Sequence, residues 1–147
     1  MASFSDFFWA TAMAFNSGAE WPQTRLLLPG NTTTIAVSPS DTLILTSHLE
    51  MLHEENWETP MEAYFCRVEY PRQAHGSPTF TKLGGQVQKQ LPAHESTVLT
   101  IATVTTVPPD NNDSAWEVGI CGDFYASQNE QVWLSRVNAS GNIQVIH

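Results

Sequence analysis

The chain of 147 residues has the length of about one domain, and with 41% hydrophobic and 14% charged residues its composition is globular. Its net charge is −9, and its six basic residues are scattered along the sequence. Nucleic acids and anionic membrane surfaces both require clustered positive charge, so neither is expected as a partner.

The first predicted element lies in SDFFWATAMAFNSG, within residues 1–20. A helix would align Phe8 with Phe15, whereas a strand would place Phe7, Trp9, Met13 and Phe15 in one row. We prefer the strand, because the rest of the sequence has β character and NSG is a good turn. Exposed together, these four side chains would form an apolar patch that soluble monomers rarely keep. We therefore predict that residues 1–20 form an N-terminal strand or arm, with this row as a candidate interface.

The same segment bears on localisation. It has no positively charged start, Asp6 comes early, and the first basic residue is Arg25, so it does not resemble a signal peptide. No run approaches the ~18 apolar residues of a membrane span. We expect a soluble protein that is made in the cytoplasm.

Alternation with period two dominates the remaining sequence. In DTLILTSHLEMLH the odd positions form an apolar row of Leu43, Leu45, Leu49 and Met51, and the even positions are mostly polar. Further strands are predicted at residues 32–37, 84–91 and 96–107, with a turn or bulge at Gly84 and Gly85. The final segment, EQVWLSRVNASGNIQVIH, is predicted to be a hairpin that turns at residues 139–142, where Gly and Asn accept positive φ.

Two aromatic-rich strands carry the two cysteines. In MEAYFCRVEY the predicted inner row is Tyr64, Cys66, Val68 and Tyr70, and Arg67 points outward. In AWEVGICGDFY the inner row is Trp116, Val118, Ile120 and Phe124, which leaves Cys121 on the opposite face. We therefore expect two unpaired thiols, a prediction that a bulge at Gly119 or Gly122 would reverse.

Eight or more short strands with regular turn signals, and no long helix, predict an all-β fold. An antiparallel β-sandwich or jelly roll accommodates this pattern. The whole chain, residues 1–147, is predicted to be a single β-sandwich domain.

The stretch SHLEMLHEENWE concentrates histidine and glutamate. His48 and Glu50 lie two apart on one strand face, and with a distant histidine such as His94 they would form a metal site of a jelly-roll enzyme. The solvated side of a strand is the simpler interpretation, and it is the one we prefer. No catalytic residue, metal or cofactor is predicted.

Two tryptophans are predicted to lie in connecting segments. Trp21 precedes Pro22 and Trp57 lies near Pro60, where an indole ring would stack on a sugar or fill a partner's pocket. The alternative, which we favour, is that both residues cap the open ends of the sandwich.

The stretch EWPQTRLLLPGNTTTIAVSPSDTLILTSHLEM contains a strand, a P-G turn and a V-x-P-x-D-T-L-x-L step into a long alternating strand. An aromatic strand, AYFCRVEY, a P-P-D turn and a closing hairpin follow. In strand and turn order this resembles the small jelly-roll proteins of virion surfaces and tail fibres and the C1q-like trimeric heads. The resemblance implies self-association, often as trimers, and a structural or binding task.

We therefore predict a non-enzymatic protein that self-associates, with a trimer favoured, or docks on a larger assembly such as a virion. The alternative is a lectin-like protein that binds a glycan through Trp21 and Trp57. A second alternative is the metal-dependent enzyme built on His48, Glu50 and His94.

Overall fold

The computed structural model describes residues 2–16, 23–27, 32–70, 78–125 and 131–147. Only the backbone is described for the first two strands and for residues 131–133 and 135. Within these ranges the chain forms nine strands and no helix: β1 (Ala2–Asn16), β2 (Gln23–Leu26), β3 (Thr33–Ala36), β4 (Thr42–His53), β5 (Thr59–Glu69), β6 (Thr79–Leu91), β7 (Ser96–Thr106), β8 (Ala115–Phe124) and β9 (Gln131–Ile146). The strand preferred for the N-terminal segment is therefore confirmed.

The strands form two antiparallel sheets. Sheet A has the order β1-β9-β4-β7, and sheet B has the order β2-β8-β5-β6, with β3 pairing the other half of β8. Apart from β5 and β6, paired strands are distant in the chain, because most connections cross from one sheet to the other. The predicted all-β antiparallel sandwich of jelly-roll type is confirmed.

The core lies between the inner faces of the two sheets. As the alternation predicts, Leu43, Leu45, Leu49 and Met51 of β4 are fully buried. Sheet B contributes the predicted row of β8, in which Trp116 is 4% and Ile120 1% exposed.

Strand β5 presents the opposite face to the one predicted. Ala63 and Phe65 lie in the core, whereas Tyr64 and Cys66 lie on the outer face of sheet B in a second cluster with Cys121 and Phe80. A register shift in the β5–β6 pairing falls between Ala63 and Phe65. The prediction was wrong because both rows of β5 are apolar, so the alternation does not identify the core side.

Two other side chains of the same segment, Tyr70 and Arg67, also differ from their predicted positions. Tyr70 is 61% exposed, so it does not belong to the core. The side chain of Arg67, predicted to point outward, is only 17% exposed. Its guanidinium lies 4.5 Å from the centre of the Trp116 ring, where the charge and the aromatic face attract each other.

Cys66 and Cys121 form a disulfide, with their Cα atoms 5.9 Å apart. The prediction of unpaired thiols was wrong because it placed Cys66 on the core side. Cys121 was placed on the correct face, and the pairing of β5 with β8 brings both cysteines to the outer side of sheet B without the bulge that the prediction required.

The predicted C-terminal hairpin was also wrong, since residues 131–146 form one continuous strand. β9 lies between β1 and β4, so both of its edges are hydrogen-bonded. Ala139 is opposite Leu49, and Gly141 is opposite Ser47. The backbone hydrogen bonds to β1 and to β4 stabilise the extended strand more than the local preference of Ser140, Gly141 and Asn142 favours a turn.

The edge strands of the two sheets meet at the predicted glycine bulge. Gly84 of β6 has a φ of 75°, and the amide of Gly85 donates to the hydroxyl of Thr103 in β7 at 2.7 Å. A Cβ added at Gly84 would overlap the Thr103 side chain. Both the backbone conformation and the close approach of sheet A therefore require glycine.

Replacing Gly84 tests this junction. Gly84→Ala should lower the free energy of unfolding by about 2–4 kcal/mol, because positive φ and overpacking each cost about 1–3 kcal/mol. Gly85→Ala is the matched control, since a Cβ there meets only Thr103 Oγ1 at 3.8 Å. Urea denaturation of both variants checks the prediction, and equal losses would contradict it.

The disulfide closes a separation of 55 residues, for which the chain-entropy model gives about 4 kcal/mol of stabilisation. We expect reduction to lower the free energy of unfolding by about that amount. Urea denaturation with and without reductant measures the effect, and the double variant Cys66→Ala, Cys121→Ala should not respond to reductant. Two reactive thiols in the unfolded, unreduced protein would contradict the prediction.

Candidate functional site

The outer side of strands β4, β7 and β9 in sheet A carries balanced charge, with one acidic and one basic side chain besides a histidine. We call it the sheet-A face; its outward positions are Thr42, Ile44, Thr46, His48, Glu50 and Leu52 of β4, Ser96, Val98, Thr100, Ala102, Val104 and Thr106 of β7, and Arg136, Asn138, Ser140, Asn142, Gln144 and Ile146 of β9. Besides His48, the ionisable side chains of this face are those of Glu50 and Arg136. Val98 and Val104 are 64% and 61% exposed. The face combines exposed β-branched side chains with hydroxyls and amides.

A shallow groove of about 310 Å³ crosses the sheet-A face beside His48, Glu50, Val98, Asn138 and Ser140. The two side chains proposed for a metal site therefore share one surface, and His48 Nδ1 lies 3.0 Å from Thr100 Oγ1.

His94, the third residue proposed for that metal site, lies in the turn between β6 and β7. There it is hydrogen-bonded to Asn56 and has a φ of 53°. Among the residues that the structure describes, no group of three or more His, Cys, Asp and Glu side chains is arranged to hold a metal ion.

The neighbouring histidine of the same stretch, His53, is fully buried. Its Nδ1 lies 2.9 Å from the carbonyl oxygen of Pro92, and its Nε2 lies 3.2 Å from Thr59 Oγ1. Both ring nitrogens have partners, which is the usual condition of a core histidine. It joins the end of β4 to the start of β5.

The outer side of sheet B carries a larger open groove of about 390 Å³. This sheet-B groove is lined by residues 60–62 of β5, residues 88–90 of β6 and Tyr125 after β8. Glu62 lies at its centre: its carboxylate accepts hydrogen bonds from Gln88 at 2.8 Å, from Gln86 at 3.4 Å and from the Tyr125 phenol.

Burial and the neighbouring carboxylates change the acidity of Tyr125. Desolvation is the largest cause that raises the pKa of its phenol, followed by the charge and the hydrogen bond of Glu62 and the charge of Asp123. Each of these disfavours the phenolate. The phenol therefore remains a hydrogen-bond donor in the groove at neutral pH.

A polar network continues along the same face beside the disulfide. The Tyr64 hydroxyl donates to Asp123 at 3.0 Å, and the Lys82 ammonium lies 4.6 Å from the centre of the Tyr64 ring. Lys82 also donates to Gln86. These contacts hold the side chains next to the groove in defined positions.

The loop after β7 is stabilised by its own polar side chains. Trp116 Nε1 donates to Asn111 at 3.1 Å, and Asn111 donates to the carbonyl of Asp113. The Asp113 carboxylate pairs with Arg67. These contacts join the loop to β5 and β8.

The two tryptophans predicted as ligand-binding residues have different outcomes. Trp57 lies in the loop between β4 and β5 and is 38% exposed. In the same loop, Glu58 accepts a hydrogen bond from Gln90 of the sheet-B groove at 3.3 Å. Trp21 lies outside the described residues.

The apolar row of β1 is placed by its backbone register. Trp9 is opposite Ala139 and Met13 is opposite Leu134, and both of these β9 residues are buried in the core. Opposed residues of an antiparallel pair share one side of the sheet. The interface assigned to Phe7, Trp9, Met13 and Phe15 stays a prediction.

Comparison with known proteins shows a likeness in fold. No protein-family model and no curated protein matches the chain. A structure of infectious bursal disease virus, strain Gx, is similar over 99% of this chain, with a TM-score of 0.52 and 11% identity. This chain covers 33% of the viral chain.

Two further structures are similar at lower scores. A crystal structure of the VP2 subviral particle of the same virus has a TM-score of 0.38 and 12% identity, and it matches 94% of this chain and 32% of its own. A family 11 carbohydrate-binding module from Clostridium thermocellum has a TM-score of 0.26 and 12% identity, over 97% of this chain and 88% of its own.

The jelly-roll resemblance drawn from strand and turn order is thus confirmed at the level of the fold. Separately, no helix able to cross a membrane occurs in the part of the chain that the structure describes.

The residues of the sheet-B groove were not selected from the sequence. Glu62 was one of many acids at outward positions, and Tyr125 lay at the end of its strand. A weak signal existed in GGQVQKQL, where Gln86, Gln88 and Gln90 alternate along one strand. It was not decisive, because the glutamines become a site only where β5 and Tyr125 lie beside them.

The acidity of Tyr125 provides a test of the groove geometry. In a spectrophotometric titration, the tyrosine transition that Tyr125→Phe abolishes should occur above the ordinary value of about 10. Glu62→Gln should lower the pKa of that transition, because a neutral amide no longer opposes the phenolate. Asp110→Asn, which removes a carboxylate from an exposed loop at the other end of β8, should leave it unchanged. An unaltered transition in Glu62→Gln would contradict the arrangement.

Proposed function

We propose that the protein is a non-enzymatic structural and binding subunit that self-associates, or docks on a larger assembly, through the sheet-A face. The observation that carries the proposal is that the charges of this face balance, Glu50 against Arg136, in a chain of net charge −9. Two copies that approach through most other surfaces bring acidic side chains together, which costs free energy. The sheet-A face avoids that repulsion.

The composition of the face suits a contact between copies. Exposed Val98 and Val104 supply apolar area, and serine, threonine and asparagine side chains can pair across an interface. Glu50 of β4 is opposite Asn138 of β9, and Arg136 is the next outward residue of β9 along that strand. In an oligomer, Glu50 of one copy could pair with Arg136 of a neighbouring copy.

The size of the face is in the range of a specific interface. Three strands ~4.8 Å apart and ~36 Å long cover ~500 Å². The edge strand β1 widens the footprint to ~700 Å². A standard interface buries about 800 Å² per partner, so this one sheet side offers enough area for a stable contact.

The likeness in fold to the infectious bursal disease virus structure supports a place on a virion. The disulfide also fits a virion surface, since such surfaces are among the oxidising environments in which disulfides persist. In this proposal residues 1–147 act as one sandwich domain that is made in the cytoplasm. Residues 1–20 supply its edge strand, the row of Phe7, Trp9, Met13 and Phe15 is a second candidate contact, and a trimer is the favoured state.

Light scattering over a wide concentration range tests the proposal. The full chain should form a closed oligomer, and Val104→Asp should weaken its association at least tenfold, about 1.4 kcal/mol. The reason is that each copy then adds a charge to an apolar contact. Thr81→Asp places the same charge on an exposed position of sheet B and should leave the oligomer intact.

Two outcomes would contradict the proposal. One is a wild-type protein that stays monomeric at every concentration and binds no large partner. The other is equal dissociation of the Val104→Asp and Thr81→Asp variants, which would show that added charge weakens association without regard to the face.

A further inference from the structure

We propose that the sheet-B groove is a binding site for a neutral saccharide. This inference does not depend on self-association, because the groove and the sheet-A face lie on opposite outer sides of the sandwich. It also places the ligand at residues other than the pair Trp21 and Trp57 considered from the sequence.

The groove offers hydrogen-bonding groups of both kinds. Glu62 is an acceptor, the Tyr125 phenol is a donor, and the amides of Gln88 and Gln90 are both. Each sugar hydroxyl donates and accepts, so a saccharide can satisfy all of these groups at once. The existing bonds between Glu62, Gln88 and Tyr125 hold the groups in place before a ligand arrives.

The glutamines repeat along the strand in a way that suits an extended ligand. Gln86, Gln88 and Gln90 follow one another at alternate positions of β6, about 7 Å apart along a strand. Two of them donate to Glu62, and the third donates to Glu58. A short oligosaccharide lying along β6 would meet one amide and carboxylate pair at Glu62 and a second pair at Glu58.

Apolar surface in the groove suits the C–H faces of a sugar ring. Pro60 and the Tyr125 ring line the groove beside the polar groups. The loop that carries Glu58 also carries the half-exposed Trp57 next to it. The hydroxyls of a sugar ring can therefore meet the polar side chains of the groove, and its C–H face can meet the apolar ones.

Charge and size narrow the ligand class. Lys89 is the cation of the lining, and Glu62 with nearby Glu58 and Asp123 repels anions, so a phosphate or a sulfated glycan is disfavoured. The volume of about 390 Å³ lies at the lower end of the roughly 300–1,000 Å³ of small-molecule sites. A short neutral saccharide fits both limits.

The test uses the full chain on an array of neutral glucans, mannosides, galactosides and N-acetylhexosamine oligosaccharides, with sulfated and sialylated glycans alongside. Titration calorimetry with the strongest neutral binder then compares variants. We expect Glu62→Gln and Tyr125→Ala each to weaken binding at least tenfold. Asp110→Asn makes the same chemical change at an exposed position in the loop after β7 and should stay within twofold of wild type.

Several outcomes would overturn the proposal: no neutral glycan bound by the wild-type chain, binding confined to acidic glycans, or a loss in Asp110→Asn with none in Glu62→Gln. Thermal unfolding of every variant checks that the fold is kept. If Tyr125→Ala unfolds, the milder Tyr125→Phe and the exposed Gln88→Ala take its place, and unchanged affinity in both would equally overturn the proposal.

Discussion

Burial of one apolar layer between the two sheets is the interaction on which the rest of the molecule depends. Leu45 and Leu49 from sheet A meet Phe65 and Ile120 from sheet B, and none of the four is more than 1% exposed. Each such side chain contributes about 1.5–3 kcal/mol when it leaves water. Because β3 to β9, the strands whose side chains the structure describes, each give one side to this layer, their other side remains available for contacts with partners.

In sheet B, part of the outer side is buried as well as the inner side. Tyr64, Phe80 and the disulfide between Cys66 and Cys121 form a small second cluster there. The cluster ties β5 to β8 directly beside the sheet-B groove. Glu62 lies on β5 and Tyr125 directly follows β8, so the disulfide links the two strands that position these groups, while Gln88 and Gln90 lie on β6. Strands hold side chains more precisely than loops do.

The two outer sides differ in the kind of partner that each can accept. The sheet-A face is broad and has few charges, so covering it with another protein surface leaves few charged groups without water. The sheet-B groove is narrow and is centred on a carboxylate that is already hydrogen-bonded to amides and a phenol. A ligand rich in hydroxyls can replace the water around such groups without leaving them unpaired.

The sequence by itself determined the fold class and the inward rows of β4 and β8. A strand with one apolar and one polar row can bury only one side, so Leu45 and Ile120 were assigned correctly. Only the tertiary structure decided the side of β5, because both of its rows are apolar, and that choice decided the disulfide. Likewise, β9 continues as one strand through Gly141 because it is hydrogen-bonded to β1 on one edge and to β4 on the other. The groove around Glu62 could not be predicted, because it joins three strands whose adjacency depends on sheet order, and no local pattern encodes that order.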